Sequence, residues 1–219
     1  MITTSLFPFL VYLLIHIDLA LFFISAYSLS LKARLLAAIG ITLFSALPLF
    51  SFVSSVDLPL IMYSRAIFGD PGLLILVIVI LHLGEQFFPK YGLLKNIRQT
   101  ELLPLCWGAL VLALILYPSA LGLFRVDIYS LGYSPVTLSV FFILTSLICI
   151  WLRYYVIGLS IAGSMLLFRL EVMDSDNLWD YFIDPLLILY ALTFLLNKYC
   201  RLLYQQLSSH RDASSIPPK

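Results

Sequence analysis

Seven long apolar stretches, separated by short connections, constrain this chain more than any other feature. They lie at 6–30, 35–55, 73–89, 102–124, 135–152, 155–170 and 182–198. A helix needs about 20 apolar residues, within a range of about 17–25, to cross a bilayer. Only 11% of the residues are charged, compared with about 25% in soluble domains. The sequence therefore predicts an all-α, polytopic transmembrane helical bundle with about seven spans.

The basic residues predict which side of the membrane each connection faces. If the N-terminus is outside, ten of the thirteen Lys and Arg residues fall on the inner side, namely Lys32, Arg34, Lys90, Lys95, Arg98, Arg153, Lys198, Arg201, Arg211 and Lys219. Because Lys and Arg favour the cytoplasmic side, the C-terminus is predicted to be cytoplasmic. Residues 1–205 form one predicted transmembrane domain, and 206–219 form a polar tail that we expect to be disordered.

The number of spans depends on the apolar region 135–170. A single helix of 36 residues would be about 54 Å long at 1.5 Å per residue, whereas the hydrocarbon core is about 30 Å thick. We therefore expect a tight turn at Arg153, although no Gly or Pro marks it. A single span would instead move the segment 171–184 and the C-terminus to the opposite sides of the membrane.

Acidic residues accumulate on the predicted outer side, where they comprise Asp57, Asp70, Asp127, Glu171, Asp174, Asp176, Asp180 and Asp184. The densest group lies in the segment 171–184, for which three interpretations are open. In the first, Asp176 or Asn177 caps the last helix, while Asp180 and Asp184 pair with arginines. In the second, the carboxylates bind a substrate or a hard cation such as Ca²⁺, without the spacing of an EF-hand. In the third, the segment docks a partner.

Each of the three outer arginines is close in sequence to a carboxylate: Arg65 to Asp70, Arg125 to Asp127, and Arg169 to Glu171. A guanidinium binds a phosphate or a carboxylate at two points. Three arginines at one depth can therefore hold a lipid headgroup or a phosphorylated donor. The alternative is that they extend to the interface and pair with their own neighbours.

Four polar residues interrupt the predicted spans: His16, Asp18, His82 and Glu85. A charge at the centre of a bilayer costs about 2.5–3.5 kcal/mol on insertion scales, and such residues often mark ion pathways or proton relays. His16 and Asp18 point about 200° apart on a helix, whereas His82 and Glu85 share one face. If the first and third spans pack together, Asp18 and His82 meet as a structural pair, a relay or a catalytic pair.

The sequence excludes several classes of protein. The net charge of the chain is only +1, which argues against the basic surface that nucleic-acid binding needs. A zinc site needs three or four ligands, so with two histidines in the spans we expect no metal site, and no motif predicts a cofactor. Short connections and the lack of an Asn-x-Ser/Thr acceptor favour a bacterial inner membrane.

The leading functional hypothesis is a non-enzymatic accessory or scaffold protein. It would lie in the lipid bilayer and present the acidic and aromatic segment 171–184, including Trp179, to a membrane or periplasmic partner. The second hypothesis is an envelope enzyme that modifies lipids or glycans with outer arginines and aspartates. The third is a proton- or ion-coupled transporter that uses Asp18, His82 and Glu85. An exposed patch around Trp179 would favour the first, convergent arginines the second, and a polar cavity the third.

Overall fold

The computed structural model describes residues 3–24, 30–47, 58–89, 97 and 100–214, and within these ranges all regular structure is helical. The α-helices are α1 (Thr3–Ile24), α2 (Leu31–Ala46), α3 (Leu60–Phe68), α4 (Leu73–Phe87), α5 (Leu102–Ala120), α6 (Pro135–Trp151), α7 (Tyr155–Arg169) and α8 (Pro185–Ser214). Two 3₁₀ helices span Tyr129–Tyr133 and Leu178–Tyr181. Asp57, Lys90, Lys95, Arg98 and Lys219 lie outside the described residues, as does the side chain of Arg211.

An α-helix occupies each of the seven apolar segments, so the predicted helical bundle is confirmed. Three of these helices are long and apolar enough to cross a membrane: α1 over Leu6–Ile24, α5 over Leu102–Ala120, and α8 over Pro185–Ser208. Helices α4, α6 and α7 are also apolar but contain only 15, 17 and 15 residues. The fold is therefore consistent with a membrane protein.

The region 135–170 forms two helices, as its length predicted. Helix α6 ends at Trp151 and α7 begins at Tyr155. Between them, Arg153 adopts a left-handed conformation with φ of 67°, which is uncommon for a residue other than glycine. The N–H of Tyr154 donates to the carbonyl of Cys149 over 2.8 Å and closes the turn. A left-handed arginine thus reverses the chain where no glycine or proline is available.

Two features of the fold go beyond the prediction. Helix α3 has only nine residues, too few to register as a span, and it packs against α1 and α2. The residue that follows its last turn is Gly69, whose φ of 78° is a conformation that favours glycine. Helix α8 continues to Ser214 and so enters the segment 206–219, for which disorder remains a prediction.

The buried side chains form two clusters. The larger joins α1, α3, α4, α5 and α8 and includes the fully buried Val11, Ile61 and Leu187. The smaller lies beneath the connections 121–134 and 170–184, where the rings of Phe142 and Phe182 stack with centroids 3.7 Å apart. Close van der Waals contact between side chains stabilises both clusters. In a membrane the hydrophobic effect contributes little to helix association, because lipid tails are as apolar as the side chains.

Candidate functional site

Three connections that the sequence places on the outer side meet at one end of the bundle, which we call the acidic end (residues 69–72, 121–134 and 170–184). The Gly72 N–H donates to Asp184 Oδ2 over 2.9 Å, and Asn177 Nδ2 donates to the Tyr129 carbonyl over 3.1 Å. Trp179 Nε1 donates to the Ile128 carbonyl over 3.1 Å. These long-range hydrogen bonds hold the connections together as one packed layer.

Asn177 organises the centre of this layer. Its side chain is fully buried, and Oδ1 accepts the N–H of Trp179 over 2.9 Å, which caps the 3₁₀ helix Leu178–Tyr181. Gly132 lies against it so closely that a Cβ at this position would overlap Asn177 Oδ1. The predicted cap of the last helix by Asp176 or Asn177 is therefore wrong, since Asn177 caps a different element.

Asp184 caps the last helix instead. It is only 2% exposed, and its Oδ1 accepts the N–H of Leu187 over 2.8 Å, in the first turn of α8. Its Oδ2 accepts the N–H of Gly72, the residue before α4. Burial raises the pKa of Asp184 to about 6, although these hydrogen bonds favour the ionised form and lower the pKa. One carboxylate thus joins the N-terminal ends of two helices.

Asp180 also binds neutral partners. Its carboxylate accepts the hydroxyls of Tyr129 over 2.8 Å and of Ser175 over 2.5 Å. Burial is the main cause that raises the pKa of Tyr129, and this hydrogen bond raises it further. The prediction that Asp180 and Asp184 pair with arginines is wrong, because no ion pair of either residue occurs in the described part of the chain.

Trp179 does not form an exposed patch. It is 5% exposed, and its ring packs edge-on against Phe142 with centroids 5.4 Å apart. Phe182 belongs to the same cluster. The aromatic side chains of segment 171–184 therefore stabilise the acidic end from within, whereas Glu171, Asp174 and Asp176 remain exposed.

An open cleft of about 540 Å³ lies at the acidic end. Its charged lining consists of one guanidinium and four carboxylates, from Arg65, Asp70, Asp174, Asp180 and Asp184. Its less polar wall is formed by Phe68, Tyr117, Met173, Ile183 and Pro185. The carboxylates are spread over the wall, since the described residues contain no group of three His, Cys, Asp or Glu that could hold a metal ion. The cleft therefore carries an excess of negative charge.

Arg65 is held within this cleft by two carboxylates. Its Nε donates to Asp70 Oδ1 over 2.6 Å and its Nη2 to Asp174 Oδ2 over 2.5 Å. The hydrogen bond to Asp70 is the main cause that raises the pKa of Arg65. The predicted pairing of Arg65 with Asp70 is confirmed, and Asp174 is an additional partner that sequence spacing does not reveal.

The other two outer arginines do not join Arg65. Arg125 and Arg169 are exposed and do not line the cleft, and neither forms an ion pair within the described ranges. Asp127 instead accepts the N–H of Ser130 over 3.0 Å, and Glu171 lies in the turn after α7 with φ of 51°. The predicted pairs of Arg125 with Asp127 and of Arg169 with Glu171 are therefore wrong.

A second polar cluster lies in the bundle interior, where α1, α4 and α8 meet. Asp18 Oδ2 is 3.3 Å from His82 Nδ1, which confirms the predicted contact, and Gln86 Nε2 donates to Asp18 Oδ1 over 2.9 Å. His82 Nε2 is 3.5 Å from the hydroxyl of Tyr190. Neither Gln86 nor Tyr190 was predicted in this cluster. Gln86 follows His82 by four residues on one helix face, which is a local signal, whereas nothing local indicates Tyr190.

The remaining two polar residues of the spans lie apart from this cluster. His16 Nε2 is 2.9 Å from the hydroxyl of Ser64 on α3, so it faces a different helix from Asp18, as the angle between them predicted. Glu85 is half-buried on α4, and within the described structure it makes no hydrogen bond or ion pair with Asp18 or His82. The four residues therefore divide among separate surroundings.

Comparison with known proteins gives no further guide to function. No protein-family model, curated protein or solved structure matches the chain. The acidic cleft and the interior cluster are therefore the features that bear on function.

Proposed function

We propose that this protein is a non-enzymatic accessory component of a bacterial inner membrane, which it crosses seven times with α1, α2, α4, α5, α6, α7 and α8. The partition of Lys and Arg supports an outer location for the acidic end. Helices of 15–17 residues are about 22–26 Å long at 1.5 Å per residue. Such short spans are accommodated by local thinning of the bilayer and by polar side chains that extend to the interface.

Its proposed role is to hold a positively charged group of a membrane or periplasmic partner protein in the acidic cleft. The observation that carries this proposal is the imbalance of charge: four carboxylates face one guanidinium, and Asp70 and Asp174 already bind that guanidinium. A lysine or arginine side chain from a partner would reduce this imbalance and gain charge-assisted hydrogen bonds. The apolar wall residues would contact its aliphatic stem.

The geometry favours binding over lipid or glycan modification. An incoming phosphate would have to displace Asp70 or Asp174 from Arg65, while Arg125 and Arg169 lie outside the cleft. The cleft is also preorganised, because buried hydrogen bonds of Asn177 and Asp184 fix its surroundings. Preorganisation lowers the entropy lost on binding.

The proposal is tested by reversing one charge inside the cleft and one outside it. Asp174 lines the cleft, its side chain is 61% exposed, and Arg65 is its ion-pair partner. Asp176 is exposed in the same segment but does not line the cleft, so D176K is the matched control for D174K. Partners are cross-linked in intact cells and quantified after purification through an affinity tag.

We expect D174K to lower recovery of the wild-type partner at least tenfold and D176K to change it less than twofold. Both variants are first compared with wild type by thermal unfolding in detergent. Equal recovery from D174K and wild type would refute the role of the cleft. An equal loss from D174K and D176K would show that general surface charge, and not the cleft, attracts the partner.

A further inference from the structure

The cluster at the junction of α1, α4 and α8 is independent of the cleft. Asp18 is only 9% exposed and has two neighbours on α4, His82 through Nδ1 and Gln86 through Nε2. The other ring nitrogen of His82 faces the Tyr190 hydroxyl on α8. Both nitrogens of the imidazole are thus within reach of a hydrogen-bonding group, and each group comes from a different helix.

The charged groups around this cluster leave Asp18 without a permanent positive partner among the described residues. Arg34 of α2 donates to the backbone carbonyl of Gln86, and the only ion-pair partner of Asp18 in this part of the chain is His82. Glu85 on α4 adds a carboxylate outside the cluster, and His16 on α1 faces α3. A carboxylate in a site of low dielectric needs a compensating charge, and among the described side chains of this cluster a proton on His82 can supply it.

We propose that Asp18, His82 and Tyr190 form a proton-binding site within the bundle, in which the proton is held on His82 between the carboxylate and the hydroxyl. Gln86 places the proton on His82 and not on Asp18, because its amide donates to Asp18 Oδ1 and an ionised carboxylate is the better acceptor. His82 then donates from Nδ1 to Asp18 and from Nε2 to the Tyr190 oxygen.

Release of the proton follows from the same geometry. The N–H bond at Nε2 of His82 breaks, its electron pair remains on the nitrogen, and the proton passes to a water molecule that reaches the 23% exposed side chain and becomes hydronium, so that the imidazolium becomes a neutral imidazole. The Tyr190 hydroxyl can then rotate and donate to Nε2, so it serves as acceptor in one state and donor in the other. Asp18 keeps its hydrogen bond from Nδ1 in both states and orients the ring.

Nitrogen NMR of the full chain in lipid bilayers, with ¹⁵N-labelled histidine, tests this site directly. The chain contains three histidines, and H16Q and H82Q assign their signals. At pH 7 we expect both ring nitrogens of His82 to be protonated in the wild type. The D18N variant removes the charge and keeps the size of the side chain, and it should lower the ratio of protonated to neutral His82 at least tenfold.

E85Q is the matched control, because it removes a carboxylate three residues from His82 that lies outside the cluster. It should change the ratio less than twofold. A neutral His82 ring in the wild type at pH 7 would overturn the proposal, and this result does not depend on any variant folding. Equal changes in D18N and E85Q would also overturn it, since they would reflect the overall charge of the bundle.

Discussion

The stability of the acidic end should depend on pH through Asp184. The folded protein raises the pKa of this carboxyl from 3.8 to about 6 by burial, so the folded state binds its proton more tightly than the unfolded state. Between these two values the folded state carries more protons, and stability therefore falls as pH rises. The loss is absent well below 3.8 and complete above about 6.

The magnitude follows from the shift of about two pH units. At 1.36 kcal/mol per unit, the free energy of unfolding should fall by about 3 kcal/mol between pH 3.5 and pH 7. Other carboxylates titrate in this window, so the quantity to compare is the difference between wild type and D184N. Asparagine does not titrate, and its carbonyl can still accept the N–H of Leu187 at the start of α8.

The assay is reversible unfolding of the purified protein in mixed detergent micelles, monitored by tryptophan fluorescence at several pH values. The advantage of wild type over D184N should shrink by about 3 kcal/mol as pH rises through the window. D176N provides the control, because Asp176 is exposed and its substitution should leave the pH profile of the wild type unchanged. A difference between wild type and D184N that is constant, or that grows with pH, would refute the reasoning.

Two further predictions concern contacts that position helices. Glu101 is buried and accepts the N–H of Ile157 over 3.0 Å in the first turn of α7. E101A should therefore lower the free energy of unfolding by about 1–2 kcal/mol, and E101Q should stay closer to wild type. Equal stability of E101A and wild type would contradict this prediction. G132A should cost about 1–3 kcal/mol because its Cβ overlaps Asn177, whereas G84A, where a Cβ meets open space, should cost nothing measurable. Chemical unfolding in the same micelles measures both pairs, and equal effects of G132A and G84A would exclude the steric argument.

The positions of the main helices could be predicted because the length of an apolar segment is a local property of the chain. The contact between Asp18 and His82 could also be predicted, since depth along two helices that run in the same direction follows from counting residues. Helix α3 could not, because nine residues are too few to form a span. Its ending at Gly69 is a local signal, but nothing local indicates that it packs against α1.

The hydrogen-bond partners at the acidic end could not be predicted, because they come from distant parts of the chain. Tryptophan is typical of the membrane–water interface, but Trp179 is buried against Phe142 on α6 and Phe182. Asp127 has an arginine two residues away, yet its carboxylate accepts a hydrogen bond from the backbone N–H of Ser130 instead of pairing with that arginine. Sequence neighbours indicate which charges are available, and tertiary packing decides which of them meet.

The carboxylate that joins Gly72 to the start of α8 has a consequence for movement within the bundle. Helices α4 and α8 both begin at this junction, and further along they meet again where His82 faces Tyr190. Two separated attachments restrict rotation of one rod against another much more than a single attachment does. Substituting Asp184 and His82 together should therefore loosen this pair of helices by more than the sum of the two single changes.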